Sequence, residues 1–179
     1  MRKLLFVIIS IIFASIGQIH AQEEFRNSET SVKKIYKTKH IYSIECKTYT
    51  ILNNEKIALY GAKERKFVND NVYWGEAGYG AVFGQRSGYL EGGLIFGYQA
   101  EFSSIFILDM RLFVGAGGGG SAIEGAGLIV NPTIGLGIKI AADYSIFIET
   151  GYIKFPSDPI GSQTFAINLN VAKWSLTCD

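Results

Sequence analysis

With 17 Lys and Arg against 16 Asp and Glu in 179 residues, the chain carries a net charge of +1, which argues against a nucleic-acid partner. Charged residues make up 18% of it, below the roughly 25% typical of soluble domains. Of its 21 glycines, 19 fall between Gly75 and Gly161, so an ordinary soluble surface would be short of charge there.

The first residues read as a secretory signal. Arg2 and Lys3 supply the positive start, Leu4 to Ile16 is an apolar core interrupted by two serines, and Ala21 is a small residue suited to cleavage. That core is too short to span a bilayer as a helix, and no later run is long enough either. No cysteine lies near Ala21, so lipid modification there is not expected. The expected organisation is a signal peptide over 1–21, a polar periplasmic arm over 22–40, and a β-barrel over 41–177.

Ile41 to Leu52 and Lys56 to Ala62 are the weaker strand candidates, around a turn at Asn53, Asn54 and Glu55. Glu64 to Asp70 reads as a charged connection. Beyond it, alternation sharpens. Between Val72 and Gly84 the more apolar set is Tyr73, Ala77, Tyr79, Ala81 and Phe83, which predicts Trp74 and Glu76 on the opposite face. Leu94, Phe96, Tyr98 and Ala100 then oppose Glu91, Gly93, Gly97 and Glu101. Leu108, Met110 and Leu112 oppose Asp109, Arg111 and Phe113. The clearest segment sets Leu128, Val130, Pro132, Ile134, Leu136, Ile138 and Ile140 against Gly127, Asn131, Gly135, Gly137 and Lys139. Ile146, Ile148 and Tyr152 oppose Phe147, Glu149 and Gly151, and Phe165, Ile167, Leu169 and Val171 oppose Ala166, Asn168 and Asn170.

Six marked segments and two weaker ones make eight, the count that returns both ends of a closed barrel to one side of a membrane. Seven alternate apolar positions span about 40 Å of strand, enough at a tilt of roughly 40° to cross an apolar band of about 25 Å. The fold expected is all-β: a single antiparallel up-and-down transmembrane barrel of about eight strands.

Charge decides which face meets lipid. Glu76, Glu91, Glu101, Asp109, Arg111, Lys139 and Glu149 share the glycine-rich parity, and are expected to form a paired structural network in the lumen. The apolar parity carries only Lys154 and Lys173, at strand ends where long side chains reach the interface. A soluble barrel with the apolar face inward is the competing arrangement. Its exterior would be largely glycine, a poor solvent face. Pro132 removes a ladder donor and predicts a bulge. Cys46 and Cys178 leave both a disulfide and free thiols open.

Catalytic motifs are scarce. Gly115 to Gly120 matches G-x-G-x-x-G, but another strand follows where a dinucleotide site needs a helix. His40 is the one histidine beyond the signal segment, and Ser43 lies on the other strand face from it. No catalytic, cofactor-binding or metal-ligating residue is expected.

The segment Gly75 to Leu176, with its Gly-Gly pairs and the run Asn131-Pro132-Thr133-Ile134-Gly135-Leu136-Gly137, resembles the small outer-membrane barrels of Gram-negative bacteria, the OmpA/OmpX-like and porin-superfamily domains. The resemblance covers about two-thirds of the chain beyond the signal. It implies location in the cell outer membrane, insertion by the barrel-assembly machinery, and contact with outer-membrane lipid and lipopolysaccharide. A monomer with a structural, envelope-integrity or interaction role is expected. The alternatives are a lipid-modifying barrel enzyme and a soluble periplasmic binding barrel. The chain departs from the resemblance at Trp174 to Asp179, where many such barrels end in an aromatic residue.

Overall fold

The computed structural model describes residues 35–50, 56–84, 88–119, 127–157 and 161–178. The expected signal segment, most of the expected polar arm and the turn expected at Asn53 to Glu55 lie outside the described residues. Eight strands run in chain order: β1 (Ile35–Thr50), β2 (Lys56–Phe67), β3 (Val72–Phe83), β4 (Leu90–Glu101), β5 (Phe106–Gly118), β6 (Gly127–Lys139), β7 (Tyr144–Lys154) and β8 (Gly161–Cys178). Each pairs antiparallel with its successor, and β8 returns to β1 to close the barrel. At the seam, the Thr50 amide donates to Ser162 Oγ at 3.1 Å, and the Lys37 ammonium lies 4.3 Å from the Trp174 ring centre.

Burial alternates residue by residue, as a pleated sheet closed on itself requires. On β6, Leu128, Ile134, Leu136 and Ile138 are exposed, while Ile129, Asn131, Gly135 and Gly137 are buried. The greasy parity of β4 to β8 therefore faces outward, as the charge argument requires.

Three features differ from the sequence reading. The first strand begins at Ile35, six residues inside the expected arm, because Lys37 and Lys39 find partners at the rim in Trp174 and Glu101. Glu64 to Asp70 is no long connection: Glu64 to Phe67 continue β2, and only Val68 to Asn71 turn. Pro132 causes no register shift. It pairs with Leu112 in sequence, and the ladder to β7 merely skips it, which spares its absent N–H. The bulge lies instead on β2 and β3, where the register jumps between Ala58 and Leu59.

The turns over 68–71, 102–105 and 140–143 share the end at which β1 begins and β8 finishes. Asn69 Oδ1 accepts from the amides of Asn71 and Val72, and Ser103 Oγ from those of Ile105 and Phe106, so side chains close two of these turns. Longer connections occupy the opposite end, where Gly119 and Gly127 hold positive φ at the margins of one loop.

Candidate functional site

The lumen is filled, and its packing is made by glycines facing rings. A Cβ on Gly97 would come within 2.3 Å of the Tyr73 hydroxyl, and one on Gly61 within 2.5 Å of Tyr79 Cδ1. Toward the long-loop end, Tyr49, Ile57, Leu59, Tyr79, Tyr89, Phe113, Ile129, Ile153 and Phe155 belong to one buried apolar cluster. Eight strands enclose space for side chains and little more.

Inside this shell the described residues place four buried acids, Glu45, Glu91, Asp109 and Glu149, against four buried bases, Lys47, Lys63, Arg65 and Arg111. They form three tiers. In the middle, Lys63 donates to Glu45 and, at 3.1 Å, to Glu149 Oε1. Arg111 Nη2 donates to Glu149 Oε2 at 2.5 Å and lies 3.5 Å from Glu45 Oε2. Toward the loops, Glu91 accepts from Lys47 and from the Tyr49 hydroxyl, both at 2.5 Å, and Lys47 lies 4.0 Å from the Tyr79 ring centre. Toward the turns, the Tyr73 hydroxyl donates to the Asp109 carboxylate, lying 2.9 and 3.0 Å from its two oxygens, and Arg65 donates to Gln99 and Ser43, both at 3.3 Å. Opposite charges in equal number offset one another's desolvation only because these hydrogen bonds are made.

Glu91, Asp109, Arg111 and Glu149 of the expected set lie in these tiers. Glu101 and Lys139 have the same parity but pair with each other at the open turn-side rim, with Lys39 3.8 Å from Glu101. Glu76 is a correction. It is exposed on the outer surface, while Tyr73, Gly75, Ala77 and Tyr79 face the lumen, so β3 is inverted relative to the sequence reading. Both parities of β3 are apolar, and the deciding factor is that Tyr73 reaches Asp109 only from inside. Trp74 accordingly points outward with Tyr98, and the two rings form part of an aromatic girdle of the kind that marks a membrane interface.

Glu45, Lys47, Lys63 and Arg65 were missed by sequence reasoning. On β1 a signal existed: Ser43, Glu45 and Lys47 alternate with Tyr42, Ile44 and Cys46. On β2 it was hidden, because Lys63 and Arg65 interleave with outward Glu64 and Lys66.

The outer surface has its own polar cluster. His40 Nδ1 lies 3.0 Å from Glu64 Oε1, and its ring stacks on Tyr42 at 6.4 Å. The Lys173 ammonium lies 5.8 Å from the Tyr42 ring centre. Ser43 is buried in the lumen, bound by Arg65, and so stands on the wrong face to serve His40. Cys46 is a free thiol exposed on the outer face of β1. Cys178 is the last residue of β8, and its side chain lies outside the described residues.

No protein-family model matches the chain, and no curated protein matches it by sequence. Solved structures do match in fold. The N-terminal β-barrel domain of Pseudomonas aeruginosa OprF superposes with a TM-score of 0.54 at 12% identity, covering 74% of this chain and 97% of that one. Neisserial surface protein A gives 0.52 at 10% identity, over 78% and 99% of the two chains. The outer membrane enzyme PagL gives 0.50 at 14% identity, over 72% and 98%. The closed eight-stranded sheet and this likeness define the class by fold: the chain is an antiparallel β-barrel with the fold of small outer-membrane barrels, and its outward apolar belt suits contact with lipid. Its fold is shared by barrels of different roles, one of them an enzyme, so fold alone does not select among them.

Proposed function

We propose that this barrel is non-catalytic and serves the outer membrane in a structural, envelope-integrity or interaction role. One observation carries the reading: the lumen is closed by buried rings and by four acid and four base side chains tied to one another, which supports a rigid plug rather than a conduit. Its partners on this reading are outer-membrane lipid and lipopolysaccharide against the apolar belt, with insertion by the barrel-assembly machinery. The test has two arms. Purified protein in liposomes should give no conductance or swelling, and lipid profiles of deletion and overexpression strains should match the parent. Altered acyl chains or a steady conductance would end the proposal.

A second reading rests on the His40–Glu64 pair. A carboxylate that orients an imidazole is half of a hydrolytic centre, and this one lies on the face that meets acyl chains. Its weakness is the nucleophile, since Ser43 is sequestered inside. Changed lipid in the overexpressing strain, lost on His40→Ala, would favour this reading.

A further inference from the structure

The outer surface has two unlike sides. Across β4 to β7 it presents residues such as Leu94, Phe96, Met110, Leu112, Ile134 and Ile148, with a charge only at Lys154 near the loop end. Across β8, β1, β2 and β3 it carries Lys173, His40, Glu64, Lys66 and Glu76. Glu64 and Glu76 are direct cross-strand partners, and Lys66 pairs with Trp74 one alternation nearer the turns.

Depth makes these charges hard to leave in lipid. Trp74 and Tyr98 belong to the girdle on the turn side, with Val72 paired to Tyr98 and Val68 beyond them toward the turn. Glu76 is therefore on the membrane-centre side of its own girdle. Among the described residues, Glu76 and Lys66 have no hydrogen bond or ion pair within the chain. Outward charges are tolerated at barrel interfaces and become costly toward the bilayer midplane.

Directly on the loop side of the two acids, the register aligns Ala62, Gly78, Gly92 and Ala116 in one outward row. The floor of Ala62, Gly78 and Gly92, walled by Tyr42, Glu76 and Leu94, is a single depression. Its glycines differ from those of the lumen. A Cβ on Gly92 would meet nothing within 4 Å, and one on Gly78 only a backbone oxygen at 3.9 Å. The barrel's own packing does not require them, although glycine in a strand weakens it. Small residues on a membrane-facing surface admit close approach of another backbone.

We propose that this side is the contact face of a two-fold symmetric dimer of this chain in the membrane, in place of the monomer expected from sequence. The strip carries both signs, Glu64 and Glu76 against Lys66 and Lys173, so it is complementary to itself. A two-fold contact demands such self-complementarity, because one patch must meet its own copy. The small-residue row then lets the two sheets approach until the charges meet.

Native mass spectrometry of the barrel extracted from outer membranes, across a dilution series, tests this. Wild type should be dimeric, and Glu76→Lys should weaken the dimer at least tenfold, with partial recovery in Glu76→Lys/Lys66→Glu. Gly92→Leu, whose Cβ meets no atom of its own barrel, should weaken it while the heat-modifiable gel band of the folded monomer persists. That band also separates failure of this proposal from failure of the barrel itself. A monomer at every concentration, or a dimer unchanged by Gly92→Leu and Glu76→Lys, would overturn the proposal and assign the strip to lipid or to another protein.

Discussion

Gly137 lies directly beneath the ring of Phe147: a Cβ built on the glycine would stand 2.4 Å from the ring's Cε2 and Cζ. The two are cross-strand partners on β6 and β7, and the ring occupies the space the glycine leaves. Overpacking costs about 1–3 kcal/mol in a filled interior. Gly137→Ala should lower the urea midpoint of unfolding in lipid vesicles accordingly, and Phe147→Leu should restore part of the loss. Gly92→Ala, on the open outer face, should change it little. Equal effects at both glycines would contradict the packed-lumen account.

Lys63 bridges Glu45 and Glu149, both fully enclosed. Lys63→Met would leave two buried carboxylates to share Arg111. Removing one partner of a buried ion pair costs about 3–5 kcal/mol. The loss should appear as a reduced urea midpoint, and adding Glu45→Gln to Lys63→Met should recover a measurable part. Additive losses in the double variant would mean the residues do not act as one network.

Asn168 and Asn170 are buried on the lumen face of β8, and neither side-chain amide has a hydrogen-bond partner among the described residues. A buried polar group without a partner carries a desolvation cost of about 1–3 kcal/mol. Asn168→Leu should therefore leave stability unchanged or raise it. A clear fall in the urea midpoint would show that the amide is hydrogen-bonded to internal water.

Ile134 lies mid-strand on β6 with its side chain outward. An arginine near the bilayer midplane costs about 2–4 kcal/mol. Ile134→Arg should fold poorly into vesicles, scored by heat-modifiable mobility. Normal folding would mean that this face is not in lipid.

Legibility followed the contrast between strand faces. From β4 to β8, apolar branched residues on one parity and glycine or charge on the other fixed both period and orientation. On β3 the contrast vanished: Tyr73 and Tyr79 are apolar by composition but carry hydroxyls, and their inward partners, Asp109 for Tyr73 and Lys47 for Tyr79, are distant in sequence. The outward Glu76 then argued for the wrong orientation. β2 carries charge on both parities, Lys63 and Arg65 inside with Glu64 and Lys66 outside, so no local pattern could separate them. The network's composition was half legible. Its pairing was not, because most of its ion pairs, such as Lys47–Glu91 and Arg111–Glu149, join strands that are not neighbours in sequence.

The middle tier draws Glu45 from β1, Lys63 from β2, Arg111 from β5 and Glu149 from β7. A partly assembled sheet holds some of these groups without their counter-ions, on a surface that must curl inward and leave water. Neutralisation and closure are thus one event, and the seventh strand supplies the carboxylate that lets the lumen dry. An unfinished barrel is marked electrically, and intermediates lacking β7 should be short-lived for that reason.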